Sequence, residues 1–373
     1  MSRPLRILLV NKAYPPHIGG IETLVRQYAR CFQMQFSAEV QVLVCQEKGK
    51  TVRETIEGVP VLRAGSIGTY FSCPLSGSFL RYFRKYAKQA DVVMIHMPFP
   101  LADLACLLSG YRGRVVLAWH SDVIKQKTLL RFYAPLLRWL LRRADCILTA
   151  TQGHIDSSVF LPAVREKCKV IPYGIDLAAY RAAPAYPVLQ PHSNHPKAVK
   201  ALFVGRLVYY KGVTVLLKAM QQVQNCELFL IGSGKLQDTL QQMAEGMDTV
   251  HFLGSLSDAD LRAALQECDF LVLPSVANSE AFGLVQLEAM VYGKPVINTA
   301  LPTGVPHVSL DGETGLTVPP ESETALAKAM QTLVSDADLR SKYGAAAKKR
   351  VETVFAEDVV MQQVYDVLAD SIL

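Results

Sequence analysis

Short apolar runs recur along the chain, each followed by a polar loop bearing glycine or proline and then by residues at helical spacing. The runs at 5–10, 40–45, 59–63, 92–96, 115–119, 146–150 and 169–171 predict buried parallel strands. Between them, Ile21, Leu24, Val25, Tyr28 and Phe32 mark an amphipathic helix after the first strand. From 181 to 196 the text changes to RAAPAYPVLQPHSNHP, without period, and predicts a linker. The grammar then restarts, with strands expected at 202–204, 227–231, 250–253, 270–273 and 295–299. Helices expected at 321–334, 339–351 and 358–373 close the chain. Strands alternating with helices predict an α/β fold of doubly wound parallel sheets.

In such sheets ligands sit beyond the carboxyl ends of the strands, so the loops there are the candidate sites. The richest is 275–293, SVANSEAFGLVQLEAMVYG, between an apolar strand and a helix. It carries two carboxylates, Glu280 and Glu288, with seven residues between them. Helix-start amides favour an anion such as phosphate, and an ionised carboxylate accepts from several hydroxyls. Phosphate with many hydroxyls describes a nucleotide sugar. Taken alone, the pair also fits two solvated glutamates of an ordinary αβ unit.

Other loops add to this. Arg206 and Lys211 follow the strand at 202–204, placed to neutralise a diphosphate, although surface cations are the common case. Gly19 and Gly20 precede the first helix, where bare backbone can approach an anion or simply turn. They do not form the GxGxxG dinucleotide fingerprint, which disfavours a nicotinamide enzyme. His120 stands at a strand's carboxyl end in WHSD, a position as compatible with a site as with a satisfied histidine.

The 373 residues, half of them hydrophobic, suffice for two domains. A net charge of +6 does not call for nucleic acid. Eight cysteines, scattered singly in apolar text, fit a reducing, cytoplasmic compartment and neither a disulfide framework nor a zinc site. No uncharged apolar stretch is long enough to span a membrane. The segment 125–143, KQKTLLRFYAPLLRWLLRR, is basic and amphipathic. It reads either as a helix in a membrane interface or as a domain helix kinked at Pro135. A second basic aromatic patch at 79–88 favours the membrane surface.

The pieces PPHIGGIETLV, WHSD, IPYGID, VGRLVYYKGV, SEAFGLVQLEAMVYGKPVI and DGETGLTVPP, in this order from Pro15 to Pro320, resemble the retaining glycosyltransferases of family 4. The resemblance covers nearly the whole chain and implies the GT-B fold, two Rossmann-like domains facing a cleft. The expected division is an acceptor domain at 1–178, a linker at 179–197, a nucleotide-sugar domain at 198–355 and a returning helix at 356–373. By resemblance, Arg206 and Lys211 meet the donor diphosphate and Glu288 the ribose hydroxyls. Glu280 contacts the transferred sugar, as do the amides of Phe282, Gly283, Leu284 and Val285, which also reach phosphate. Gly19 and Gly20 match a loop closing on the diphosphate, and His120 the histidine near the sugar. Glu280, His120, Lys211 and Arg206 are the expected catalytic set, with no metal and no cofactor required. Retention is expected by same-face substitution, the leaving phosphate taking the acceptor's proton.

The text WHSDVIKQK with GIETLV looks like bacterial mannosyl- and rhamnosyltransferases of lipopolysaccharide O-antigen. That implies GDP-mannose as donor and a polyprenyl-diphosphate-linked oligosaccharide as acceptor, at the cytoplasmic face of the inner membrane beside other O-antigen glycosyltransferases. Rhamnose, glucose or GlcNAc from a dTDP- or UDP-sugar remain alternatives, as does a nucleotide-sugar epimerase of the same architecture.

Overall fold

The computed structural model describes residues 3–17, 19–70, 73–122, 127–183 and 185–370, leaving aside the side chains of 127–130. The chain forms two units, Met1–Pro172 with Val360–Leu373, and Tyr173–Val359.

The first unit is built on eight strands: β1 Arg6–Val10, β2 Glu39–Cys45, β3 Val52–Ile56, β4 Val59–Ala64, β5 Val92–Met97, β6 Arg114–Trp119, β7 Cys146–Thr149 and β8 Cys168–Val170. They lie in the order β8-β7-β6-β5-β1-β2-β4-β3. The central strands, RILLV and VVMIHM, are continuous apolar runs because both faces are covered. β3, VRETI, is the exception: it pairs antiparallel with β4 at the sheet edge and is mostly solvated. Its hairpin turns at Glu57 and Gly58, with φ of 51° and 81°, the two positive values a two-residue turn of this twist requires. Glutamate at the first of these positions is not a usual turn signal, and the strand was not expected.

One face of this sheet packs the helices Gly77–Ala87, Pro100–Ser109 and Lys127–Arg143 side by side. Phe79, Phe83, Ala102, Ala105, Leu137, Leu140 and Leu141 join Leu8, Val10, Val93, Ile95 and Leu117 in a single core. The apolar stripe of the 125–143 segment is therefore turned inward, while Lys125 lies outside the described residues. The Glu357–Ala369 helix belongs to this unit from Val360 onward. Its Tyr365 ring stacks on Phe36 at 4.3 Å, and Arg114 Nε donates to the Val367 carbonyl at 3.2 Å.

The second unit has strands β9 Val199–Val204, β10 Cys226–Ile231, β11 Val250–Gly254, β12 Phe270–Val272, β13 Val296–Thr299 and β14 Gly315–Val318. All pair in parallel, in the order β11-β10-β9-β12-β13-β14. The chain winds outward in both directions from β9 and β12, so the switch point lies between their carboxyl ends. Residues 188–195, within the expected linker, are tied down on this unit. Glu267 accepts from the amides of Val188, Leu189 and Gln190, and Glu227 from those of Asn194 and His195.

Asp103 is buried in the first turn of the Pro100–Ser109 helix. Tyr133 donates to its Oδ2, while Oδ1 has no partner among the described residues. Burial pushes this carboxyl up to about 7 from an ordinary 3.8, with Tyr133 and then Lys12 pulling it back. A raised folded-state value means that the group's contribution to stability is complete below 3.8 and is lost as pH climbs through about 7. Asp103→Asn should abolish that loss. Its stability relative to the unmodified protein, read from melting temperatures, should rise from about pH 5 to about pH 8 by up to roughly 3 kcal/mol. A difference that stays constant over this range would show that Asp103 is not buried as a charge.

Candidate functional site

The loop after β9 carries Arg206 and Lys211, and the loop after β12 carries Glu280, so the switch point brings all three together. Lys211 Nζ meets Glu280 Oε2 at 2.5 Å, with both side chains largely shielded from solvent. Ser275, fully buried, donates its hydroxyl to the same Oε2 at 3.0 Å. Both contacts fall on one carboxylate oxygen, and Oε1 carries neither. Arg206 is exposed and donates from Nη2 to the Tyr210 hydroxyl at 2.8 Å. The Tyr210 ring lies 5.9 Å from the Arg206 guanidinium and 5.8 Å from the Lys211 ammonium, so it steadies both cations.

Glycine holds the two loops in contact. At Gly212, with φ of 68°, a Cβ would stand 1.9 Å from the Pro274 carbonyl oxygen. The close approach lets the Val276 amide donate to the Tyr210 carbonyl at 2.8 Å. Gly283, with φ of 74°, is the second such point: a Cβ there would meet Leu273 Cδ2 at 2.5 Å.

Behind the Glu280 loop lies a buried amide network. Gln286 Nε2 donates to the carbonyls of Phe282 and Val305. Its Oε1 accepts from Asn298 Nδ2 at 2.9 Å, and Asn298 Oδ1 accepts from the Thr317 hydroxyl at 2.7 Å. A satisfied buried network fixes backbone position, here that of the segment Phe282–Gly283–Leu284–Val285. Phe282 is buried, its ring edge-on to Tyr173 at 4.9 Å, while Leu284 is exposed at the head of the Val285–Val291 helix. The sequence did not single out Ser275, Gln286 or Asn298, because each is one polar residue in an apolar setting.

Glu288 lies on that same helix but in different company. Burial holds its carboxyl above the ordinary range, while the Tyr180 hydroxyl, which donates to it, and the Arg262 charge act the other way. The Arg262 guanidinium sits 4.8 Å over the Tyr180 ring. Tyr180 comes from the stretch expected to be linker, and nothing in its spacing marked it.

The remaining expected residues belong to the first unit. Gly19 is extended, with φ of −173°, and caps the Gly20–Met34 helix. A Cβ at Gly20 would meet nothing within 4 Å, and one at Gly19 would meet only the Glu22 side chain. The protein's own packing thus gives no reason for glycine at 20. His120 is buried just beyond β6, its Nε2 3.0 Å from His96 Nδ1. Burial, and then His154, push its basicity down to about 3, so its ring is neutral. Asp122, also of WHSD, accepts from the Ser158 hydroxyl and the Val159 amide, both at 2.8 Å.

Comparison with known proteins fits this geometry. Residues 18–179 match the family model described as Glycosyltransferase Family 4, and residues 189–350 match that of glycosyl transferases group 1. The D-rhamnosyltransferase WbpZ of Pseudomonas aeruginosa is 35% identical over 354 residues, covering 94% of this chain and 92% of that protein. The O-antigen chain mannosyltransferase C of Escherichia coli is 30% identical over 369 residues, 95% of each. Among solved structures, Anabaena Alr3699/HepE in complex with UDP superposes with a TM-score of 0.79 at 20% identity, over 98% of this chain and 100% of that one. With both units built on α/β sheets, parallel except at the β3 edge of the first, and both family models matched in order, the chain belongs to glycosyltransferase family 4 and has the GT-B fold.

Proposed function

We propose that this glycosyltransferase moves mannose, with retention, from GDP-mannose to a hydroxyl of a lipid-diphosphate-linked oligosaccharide during O-antigen assembly. The observation that carries the reading is the Lys211–Glu280 pair beside Arg206 at the switch point of the second unit. An ammonium has three N–H donors. One is engaged by Glu280, which leaves two for diphosphate oxygens, and exposed Arg206 offers its fork beside them. Glu280 Oε1 accepts sugar hydroxyls. Tyr180 already presents an O–H to Glu288, the chemistry a ribose diol would offer in its place.

As the sugar–phosphate bond breaks, negative charge grows on the leaving phosphate, and Lys211 and Arg206 oppose it most strongly at that moment. The phosphate oxygen then takes the proton of the acceptor hydroxyl as the new bond forms on the same face. Double displacement through Glu280 is disfavoured, since a carboxylate already neutralised by an ammonium is a poor nucleophile. The amides of Gly283, Leu284 and Val285 serve the same anion, and Gly19 and Gly20 are the bare backbone expected to serve a diphosphate. No metal is needed where two cations stand.

The choice of sugar is supported by the relatives' names, a D-rhamnosyltransferase and a mannosyltransferase. D-rhamnose is 6-deoxy-D-mannose, so the two sugars share their configuration at C2, C3 and C4. A panel of GDP-mannose, GDP-D-rhamnose, UDP-glucose and UDP-GlcNAc, with a synthetic lipid-diphosphate acceptor, tests this. Transfer should come from a manno-configured GDP-sugar, give an α-linkage by NMR and persist in EDTA. Transfer only from UDP-sugars, a β-linked product, or loss in EDTA restored by Mg²⁺ would contradict it.

A lipid-linked acceptor calls for a membrane-facing surface, and we place it on the three helices of the first unit. Among the described residues no helix is long and apolar enough to cross a membrane. The middle helix, Pro100–Ser109, turns Leu104, Leu107 and Leu108 outward at 36%, 42% and 58% exposure, and Phe132 on the next helix is 81% exposed. Exposed Arg81, Arg84 and Lys85 lie on one flanking helix and exposed Arg131, Arg138 and Arg142 on the other. Asp103, the one carboxylate these helices carry, is buried. Each cation near an anionic leaflet contributes about 1 kcal/mol, screened by salt. The protein should co-sediment with anionic vesicles at low salt and release at high salt. Leu107→Ser with Leu108→Ser should weaken sedimentation while activity on a short water-soluble acceptor persists. Equal sedimentation of this variant and the unmodified protein would remove the leucine face from the account.

A further inference from the structure

Two histidines at the carboxyl ends of neighbouring strands form a buried pair in the first unit. His96 lies in β5 opposite Ala118 of β6, and His120 follows β6, its amide donating to the Met97 carbonyl at 3.4 Å. The rings are nearly parallel, at 11°, with centroids 5.3 Å apart. That separation is the 3.0 Å N···N distance plus one ring radius on either side. The rings are thus edge to edge in a common plane, joined by an in-line hydrogen bond, and not stacked face to face.

The bond has a direction. His96 is 1% exposed, and its Nε2 has no hydrogen-bond partner among the described residues. A neutral imidazole carries one N–H. Were that proton on Nε2, a buried donor would go unpaired, the rarer and costlier defect; an unpaired lone pair is better tolerated. The proton therefore sits on His96 Nδ1 and is donated to His120 Nε2. His120 then accepts through Nε2 and must carry its own proton on Nδ1.

We propose that His96 is a positioning residue, which locks His120 as the Nδ1–H tautomer in a fixed plane. His120 thereby meets the transferred sugar as a hydrogen-bond donor and not as a base. This rests on the reading of His120 as a group at the transfer site. A neutral donor stabilises an oxygen without taking a proton, which matches a reaction whose proton goes to the leaving phosphate. Had Nε2 been free, the ring could exchange tautomers and spend part of its time offering the wrong edge. His154, whose charge would repel a second one, also keeps the pair neutral.

The test uses the full chain labelled with ¹⁵N in its histidine rings, eight in all, with His120 assigned by its loss in His120→Ala. Ring nitrogen shifts report the tautomer directly. The unmodified protein should show His120 as Nδ1–H. His96→Asn, whose side-chain amide replaces the Nδ1–H donor, should keep that tautomer and retain turnover within about threefold. His96→Leu should release His120 into a tautomer mixture and lower kcat roughly 10- to 100-fold, with little change in the donor KM. Finding His120 as Nε2–H in the unmodified protein, or unchanged in His96→Leu, overturns the proposal even if the leucine variant is unstable. If the tautomers behave as stated but His120→Ala turns over normally, it is the placement of His120 at the transfer site that fails, and the catalytic half of the proposal with it.

Discussion

The candidate site of the second unit is arranged around one ion pair. Lys211 and Glu280 come from loops far apart in sequence, after β9 and β12, the two adjacent strands at which the winding reverses. They meet at 2.5 Å where Gly212 lets its loop lie against Pro274, a place at which any side chain would collide with a carbonyl oxygen. A pair this shielded adds little net stability, since desolvating two charges offsets most of their attraction. Its effect is positional: it places a cation and a hydroxyl-accepting carboxylate side by side. Removing one member leaves the other unpaired, which costs about 3–5 kcal/mol.

The other groups stand in fixed relation to that pair. The Gln286–Asn298–Thr317 network pins the backbone from Phe282 to Val285 without spending a charged group. Tyr210 braces Arg206. Glu288 is set one helix turn or so deeper, where burial disfavours its charge and a neighbouring hydroxyl restores some of it. The first unit uses a different device. It buries neutral histidines, whose hydrogen bonds fix direction without placing charge near the sheet ends.

What the sequence disclosed follows from how each signal arises. RILLV and VVMIHM were legible because a strand covered on both faces must be apolar throughout. VRETI was not, because a solvated edge strand has no such requirement. The segment 125–143 shows the limit of amphipathicity: a basic helix with an apolar stripe has the same pattern whether the stripe meets a lipid surface or a sheet. Here Leu137, Leu140 and Leu141 meet the sheet, and the outward leucines belong to Pro100–Ser109, a helix apolar nearly all round. Arg206, Lys211 and Glu280 were legible because charged residues stood at strand ends. His96 was not, since a single histidine within an apolar strand reveals its partner only when the neighbouring strand is placed.

The central claim is that Lys211 binds the donor diphosphate while Glu280 holds the sugar, and titration calorimetry tests it most directly. GDP and GDP-mannose would be titrated into the unmodified protein, Lys211→Met and Glu280→Gln. The account predicts that Lys211→Met weakens both ligands by the value of a charge-assisted hydrogen bond, about 1.5–3 kcal/mol, or roughly 10- to 150-fold. Glu280→Gln should leave GDP affinity unchanged or tighter, because Lys211 is freed, and weaken GDP-mannose alone. Unaltered GDP affinity in Lys211→Met, or equal weakening of both ligands in Glu280→Gln, would contradict it.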